Sequence, residues 1–162
     1  MMPTSGAPQH GDLLEQRRRV QALTNQIASA GTMEELLSGS PPRLLDLLTC
    51  ERTTIFALDT KNRHLYSVSK TGGEFKEIRV ALDLSSIAGF VGVAKRAVNL
   101  ANVYDKEELK RTHPQLHFDE RWDQASGYVT RSVLCVPVLY ESNLLGVLQL
   151  INRRDRMPFS PR

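Results

Sequence analysis

Cysteine is scarce. Cys50 and Cys135 are the only two in 162 residues and form no C-x-x-C pair, so the chain carries no disulfide framework, and both suit a reducing compartment, the cytoplasm, as buried thiols. Aromatic residues make up 6%, too few and too scattered for a base-stacking platform. Charge of one sign is also lacking: the formal net charge is +3, with bases and acids interleaved. The densest basic run, Arg17 to Arg19, sits in a helical pattern flanked by Asp12 and Glu15, which reads as a solvated helix face rather than a nucleic-acid patch. The one long apolar run, Leu144 to Ile151, is too short to span a bilayer, and the N-terminus lacks the basic-then-apolar order of a secretory signal. Nucleic acid and membrane therefore drop out as partners. What is present, 41% apolar and 24% charged residues, is the composition of one ordinary globular domain.

Residues 1–11, rich in Pro, Gly and Ser, read as a disordered leader. From Asp12 the residues Leu13, Val20, Leu23, Ile27 and Ala30 form one apolar stripe, which predicts a helix over 12–31. Thr32 and Glu35 make a capping box for a second short helix, and SGSPP interrupts the pattern before Arg43 to Leu48 resume it. Beyond Cys50 the period changes to two. Strands are predicted at Arg52 to Asp59, Leu65 to Ser69 and around Ile78, Val80 and Leu82, turned by DTKNR and by Thr71-Gly72-Gly73. Ser85 and Ser86 offer N-caps for the helix IAGFVGVAKRA, and Val98 to Val103 is a short strand. Asp105 and Glu108 open a helix in capping-box fashion, which must stop before Pro114. Asp119 to Ser126 forms a short helix closed by Gly127. Two apolar strands follow, Val133 to Tyr140 and Leu144 to Ile151, with both faces expected to be covered. The fold class is α+β, a mainly antiparallel sheet with helices on both faces and a cleft between sheet and front helices.

Several chemistries are thinkable. His113 and His117 have a spacing that would suit two ligands on one helix face, but Pro114 between them breaks that helix; with Asp119 a loop-borne metal site is the alternative to solvated histidines. No serine sits in G-x-S-x-G, Cys135 lies within the apolar VLCVPV, and Gly89 with Gly92 is only a G-x-x-G. The chain is poorly equipped as an enzyme. One constellation stands out: SSIAG places two hydroxyls and free backbone N–H groups at a helix start, a setting for an anion. Asp123, Ser126 and Thr130, three and four apart, face one way if the short helix runs on, and an acceptor carboxylate with two hydroxyls suits the donor-rich edge of a purine. The structural alternative is that Asp123 and Ser126 cap helix ends and Thr130 starts a strand.

The succession LLDLLTCERTTIFALD, SSIAGFVGVAKRAVNLANVYD, FDERWDQASGYVTRSVLCVPV and LLGVLQLINR resembles the GAF domain. It is most similar to the regulatory GAF domains of cyclic-nucleotide phosphodiesterases and cyclases, and similar also to bacterial GAF domains of signalling proteins and secretion ATPases. The likeness runs from about Met33 to Phe159, with IAG-x-V, D-x-x-[ST]-GY-x-TR, LC-x-P and GVLQL-x-N in the family's order; its N-K…F-x-x-x-D-E signature stands here as Asn152, Arg153 and Phe159. The resemblance implies a GAF domain over 32–162, ending before its last helix, and about six antiparallel strands in the order 3-2-1-6-5-4. It also implies a homodimer through the N-terminal helix and a C-terminal effector domain in the full-length protein. Pocket residues carried over by motif are Thr54, Lys70, Thr71, Ile87, Ala88, Asp123, Ser126, Thr130 and Gln149, with Lys70 and Thr71 standing where the family often has an aromatic-acid pair. Helix-start amides would meet the phosphate of a cyclic nucleotide, cGMP or cAMP, and Asp123 would help to read the base. The expectation is a non-catalytic sensory domain; a ligand-free dimerisation module is the alternative.

Overall fold

The computed structural model describes residues 10–29, 31–39, 41–71 and 74–159. Most of the expected leader and the Gly72-Gly73 turn lie outside the described residues, as do the side chains of Leu23, Ile27, Lys70 and Thr71. The elements follow in the order α1 (His10–Ser29), α2 (Met33–Gly39), α3 (Pro41–Leu48), β1 (Cys50–Asp59), β2 (His64–Thr71), β3 (Glu74–Ala81), α4 (Ile87–Ala94), β4 (Val98–Leu100), α5 (Lys106–Thr112), α6 (Arg121–Ser126), β5 (Val133–Tyr140) and β6 (Asn143–Arg153). The strands form one sheet in the order β3-β2-β1-β6-β5-β4, each described pair antiparallel.

Local chemistry explains most boundaries. Thr32 Oγ1 accepts from Glu35 N at 3.1 Å, and the Glu35 carboxylate reaches back to Gly31 N at 2.9 Å, so the helix start at Met33 is held from both sides. Helix α3 begins at Pro41, earlier than Arg43, because proline is well tolerated in a first turn. At α5 the capping box is incomplete. Asp105 Oδ1 accepts from Glu107 N and Glu108 N, but the Glu108 carboxylate turns instead to Ala101 N and Asn102 N at 2.7 and 2.9 Å. Those bonds bend the chain after Leu100, which is why β4 ends there rather than at Val103.

The two faces of the sheet alternate in the way a period of two demands. Phe56, Leu65, Val133, Cys135 and Val147 point forward into a cluster with Ile87, Phe90 and Val91 of α4, Val98, Leu100, Val103, and Leu109 of α5. Backward, Ala57 and Val68 meet Leu37 of α2, while Leu150 packs with Cys50, Phe159, Leu45 and Leu48. Each fully buried Val or Leu contributes about 1.5–3 kcal/mol relative to exposure. Helix α4 lies unusually close to the sheet edge: a Cβ on Gly89 would stand 2.5 Å from the Ala81 carbonyl oxygen and 2.7 Å from that of Asp83. Glycine at this position lets the helix start sit over the end of β3. Coverage of β5 and β6 is incomplete, contrary to expectation, because Val138, Leu139, Tyr140 and Leu145 at the hairpin end are exposed.

Candidate functional site

A cleft of about 480 Å³ opens on the front face, between the sheet and the start of α4, and is roofed by residues 117–130. Its floor comes from the forward positions of four strands: Arg52, Thr54 and Phe56 of β1, Ile78 and Val80 of β3, Val133 of β5, and Gln149 and Ile151 of β6. Thr54 and Gln149 are cross-strand partners, so their side chains are neighbours by register. Ile87 and Ala88 form one wall, and Asp123, Ser126 and Thr130 belong to the roof. The cleft thus brings together seven of the nine sequence-predicted residues. Lys70 and Thr71 end β2 opposite Phe75 and Glu74, and their side chains lie outside the described residues.

The wall is a capped helix start. Ser86 has an extended backbone and its Oγ accepts from Gly89 N at 3.0 Å. Asp83 Oδ1 accepts from Ser85 N at 2.9 Å and from Ser85 Oγ at 2.6 Å, bonds that hold its carboxyl below the usual range. With Gly89 N taken by the cap and Phe90 N by Ser86 O, the amides of Ile87 and Ala88 are the first-turn donors without a protein acceptor among the described residues. The Ser85 carbonyl accepts from His117 N at 2.9 Å and so ties the roof to the wall.

Asp123 does not face the cleft as a free acceptor. Helix α6 stops at Ser126 because Gly127 takes a left-handed φ of 67°, so Thr130 returns by a loop instead of extending the helix face. Asp123, only 7% exposed, accepts from Thr130 N at 2.7 Å and Tyr104 Oη at 2.7 Å on Oδ2, and from Thr130 Oγ1 at 2.8 Å on Oδ1. Ser126 Oγ donates to the Trp122 carbonyl at 2.8 Å. The three residues serve the roof's own architecture first: the helix does not run on past Ser126, so they line the cleft without sharing one helix face. Burial alone would make a lone carboxylate costly; three donors offset that cost.

Behind the roof lies a second network. Asn152, 1% exposed, accepts on Oδ1 from Arg131 N at 2.7 Å and Ser132 N at 3.1 Å, and donates through Nδ2 to Val129 O, Tyr128 Oη and Glu51 Oε2 at 2.8, 3.0 and 3.1 Å. Tyr128 Oη donates to Glu51 Oε2 at 2.7 Å, and the Arg52 guanidinium lies 3.5 Å over the Tyr128 ring. The Tyr128 hydroxyl and the Asn152 amide hold the Glu51 carboxyl below its usual range, while burial and Glu51 push the Tyr128 phenol up to about 12. Sequence reasoning passed over Glu51, Arg52, Tyr104 and Tyr128 as site residues. Arg52 was within reach, since it stands two residues before Thr54 and shares its face; Tyr104 and Glu51 meet partners 19 and 101 residues away.

The metal reading gains no support from the geometry. Among the described residues no three His, Cys, Asp or Glu side chains come together as a metal site. Asp119 instead grips Arg121 through two bonds of 2.9 and 2.8 Å, and His113 lies against the Phe90 ring at 5.4 Å. Nor is a nucleophile prepared. Neither cysteine lines the cleft, burial raises the pKa of both thiols, and none of the cleft hydroxyls is bonded to a histidine among the described residues.

Comparison with known proteins agrees with this architecture. The probable 3',5'-cyclic phosphodiesterase pde-5 of Caenorhabditis elegans is 29% identical over 120 residues, 67% of this chain and 15% of the relative. The cone cGMP-specific 3',5'-cyclic phosphodiesterase subunit alpha' of Mus musculus is 27% identical over 144 residues, 81% of this chain and 16% of the relative. The chain therefore spans about one sixth of these relatives. Among solved structures, the GAF domain of a phosphoenolpyruvate-protein phosphotransferase (ptsP) from Coxiella burnetii superposes with a TM-score of 0.65 at 18% identity, covering 91% of this chain and 82% of that one. A free methionine-R-sulfoxide reductase from Neisseria meningitidis shares the fold at 15% identity and a TM-score of 0.58, covering 93% and 79%, so the fold by itself does not separate sensors from enzymes. The GAF domain profile matches residues 32–162, and the chain belongs to the GAF domain family.

Proposed function

We propose that this domain is a non-catalytic sensor that binds a small anionic ligand with a flat body, a cyclic nucleotide, in the front cleft and passes occupancy to an effector region. The observation that carries the reading is the cleft itself: about 480 Å³, a volume typical of small-molecule sites, with a floor that mixes apolar and polar side chains and two helix-start amides in its wall that have no protein acceptor among the described residues. Arg52 on the floor adds a cation suited to a phosphate. Relatives named as cyclic-nucleotide phosphodiesterases support the choice of ligand. Among the described residues no cleft hydroxyl is bonded to a histidine and neither buried thiol lines the cleft, which favours binding over catalysis. Two free, buried cysteines suit the cytoplasm; among the described residues no helix is long and apolar enough to cross a membrane.

The energetics are sufficient. Micromolar binding corresponds to about 8 kcal/mol, and throwing a switch from 1:99 to 99:1 needs roughly 5.5 kcal/mol of state preference, so most of the binding has to be state-selective. Ordering of the roof supplies that selectivity. The test is hydrogen exchange of residues 104–131 during titration with cGMP and cAMP, paired with calorimetry. Protection of the roof supports the reading, whereas unchanged exchange and no heat with either nucleotide removes it.

A second reading, a dimerisation module, is favoured by α1, whose Leu13, Leu14 and Val20 are exposed in the single chain. Glutamate at Val20 abolishes a dimer in sedimentation if α1 forms it; an unchanged dimer sinks that reading.

A further inference from the structure

Granted that the front cleft takes a small anion, its charged lining decides where the acidic group goes. Asp119 and Arg121 grip each other there, and Asp123 is closed in by three donors. Arg52, exposed on the floor, enters no hydrogen bond or ion pair among the described residues; its partner is the Tyr128 ring, 3.5 Å from the guanidinium carbon to the ring centroid. The adjacent carboxylate, Glu51, is committed to Tyr128, Asn152 and Arg131. A separation of 3.5 Å is van der Waals contact over the middle of the ring, which a planar guanidinium reaches by lying flat. Its N–H donors lie in its own plane, so stacking covers the face and leaves the fork of donors pointing past the ring edge. Such a fork takes two oxygens of one group, those of a carboxylate or the two free oxygens of a phosphodiester.

We propose that Arg52, laid flat on the Tyr128 ring, is the receptor for the ligand's acidic group, a phosphodiester or carboxylate, with Tyr128 as its positioning residue, so that the ligand is anchored at the fixed end of the roof. This rests on the reading of the cleft as an anion site and names the residue that receives the charge. Both side chains line the cleft. Tyr128 is itself held, since its hydroxyl donates to Glu51 Oε2 at 2.7 Å and accepts from Asn152 Nδ2 at 3.0 Å. The stack therefore restrains the long Arg52 side chain before the ligand arrives, which lowers the ordering cost of binding. The start of α4 is the competing receptor. Phe56 stands four residues along β1 from Arg52 and shares the forward cluster with Ile87, so at about 3.3 Å per residue the two receptors lie roughly 13 Å apart. One compact acidic group cannot use both. The helix start carries about half a charge, on amides of residues 7% and 4% exposed, whereas Arg52 brings a full charge within reach of solvent. The amides are left for an uncharged acceptor at the ligand's other end.

The experiment titrates the protein with cGMP, with cAMP and with inorganic phosphate at constant ionic strength, reading affinity by calorimetry and the arginine Nε–H signals by NMR. The Arg52 signal is the one missing from Arg52→Gln. Arg52 is exposed, so this variant tests the receptor even if Tyr128→Leu, which takes away the platform, does not fold. Phosphate and nucleotide are expected to move the Arg52 signal and to compete for it. Arg52→Gln should weaken the nucleotide about tenfold to a hundredfold, the size of a hydrogen bond to a charged group. Tyr128→Leu should weaken it about threefold, and should do nothing further in the Arg52→Gln background, because a platform has no effect without the group it holds. A merely structural Tyr128 would weaken both backgrounds alike. An Arg52→Gln variant that binds nucleotide as the wild type does overturns the receptor, returns the acidic group to the α4 start and leaves the cyclic-nucleotide reading standing. No heat from either nucleotide, with an Arg52 signal that phosphate still moves, overturns that ligand and upholds the receptor. A signal that neither phosphate nor nucleotide moves overturns the receptor as well.

Discussion

The roof of the cleft is fastened at two places, and the fastenings differ in kind. Toward β5, residues 128–132 are held by Asn152, a neutral amide 1% exposed that uses both its oxygen and its nitrogen and whose backbone sits at a φ of 50°. Toward α6, the roof is held by Asp123, a carboxylate that is itself part of the roof and has one acceptor position to spare. An amide with fixed donors and acceptors has one arrangement and cannot change its charge. A carboxylate can exchange one donor for another, including a ligand's, at modest cost. The first fastening is therefore built to stay and the second to be renegotiated, which puts the movable part of the roof at α6 and the hinge near Tyr128.

The largest expected effect breaks the permanent side. Asn152→Ala strands the buried amide of Ser132 and the part-buried Arg131 amide and Val129 carbonyl, and leaves alanine in a left-handed conformation that asparagine tolerates better. We expect a loss of about 3–4 kcal/mol in urea unfolding, with the whole roof losing exchange protection. A loss under about 1 kcal/mol would mean that the anchoring lies elsewhere.

Asp123→Ala should cost less, about 2 kcal/mol, because the orphaned Tyr104 hydroxyl can turn to water and only Thr130 is left buried without its acceptor. The comparison sharpens if exchange rises over 119–127 and stays low at 128–132. It fails if the two variants destabilise equally and loosen the same residues.

Most of the frame could be read from the sequence because its causes are local. The β pattern of Arg52 to Asp59, the apolar run Val133 to Tyr140, the Thr32 capping box and the SSIAG helix start each act within a few residues, and each stands within two residues of where the pattern placed it. The strand order came through the family resemblance, not through any pattern of spacing. The site was legible as a set of residues and illegible as a set of bonds. Asp123, Ser126 and Thr130 have helical spacing, yet Gly127 ends the helix and turns spacing into a loop closure. Tyr104 has no local feature that announces a bond to Asp123, and Glu51 finds Asn152 only after the sheet has brought β1 beside β6. Long-range polar pairing leaves no periodic trace, because a single contact between distant residues repeats nothing.

The smallest effect concerns acid. Glu51 belongs to the permanent fastening yet is the carboxylate in it, with its pKa held below 4.5 first by the Tyr128 hydroxyl, then by the Asn152 amide. A carboxyl whose folded pKa is depressed stabilises the fold above its unfolded pKa, and that contribution fades as pH falls through the folded value. The window therefore opens near pH 4.5 and extends downward. Asp59, Asp83 and Asp119 are depressed as well, so the bare stability of the wild type falls in acid for several reasons at once. The informative quantity is the difference between wild type and Glu51→Gln, in which those background carboxyls cancel. That difference should be steady from pH 7 to about 5 and shrink toward pH 3. It should be small, because the Glu51 side chain is 34% exposed and water screens its pairing with Arg131. A difference that is flat across the whole range would show that Glu51 takes no part in holding the roof, and would leave Asn152 and Tyr128 to hold it through neutral hydrogen bonds alone.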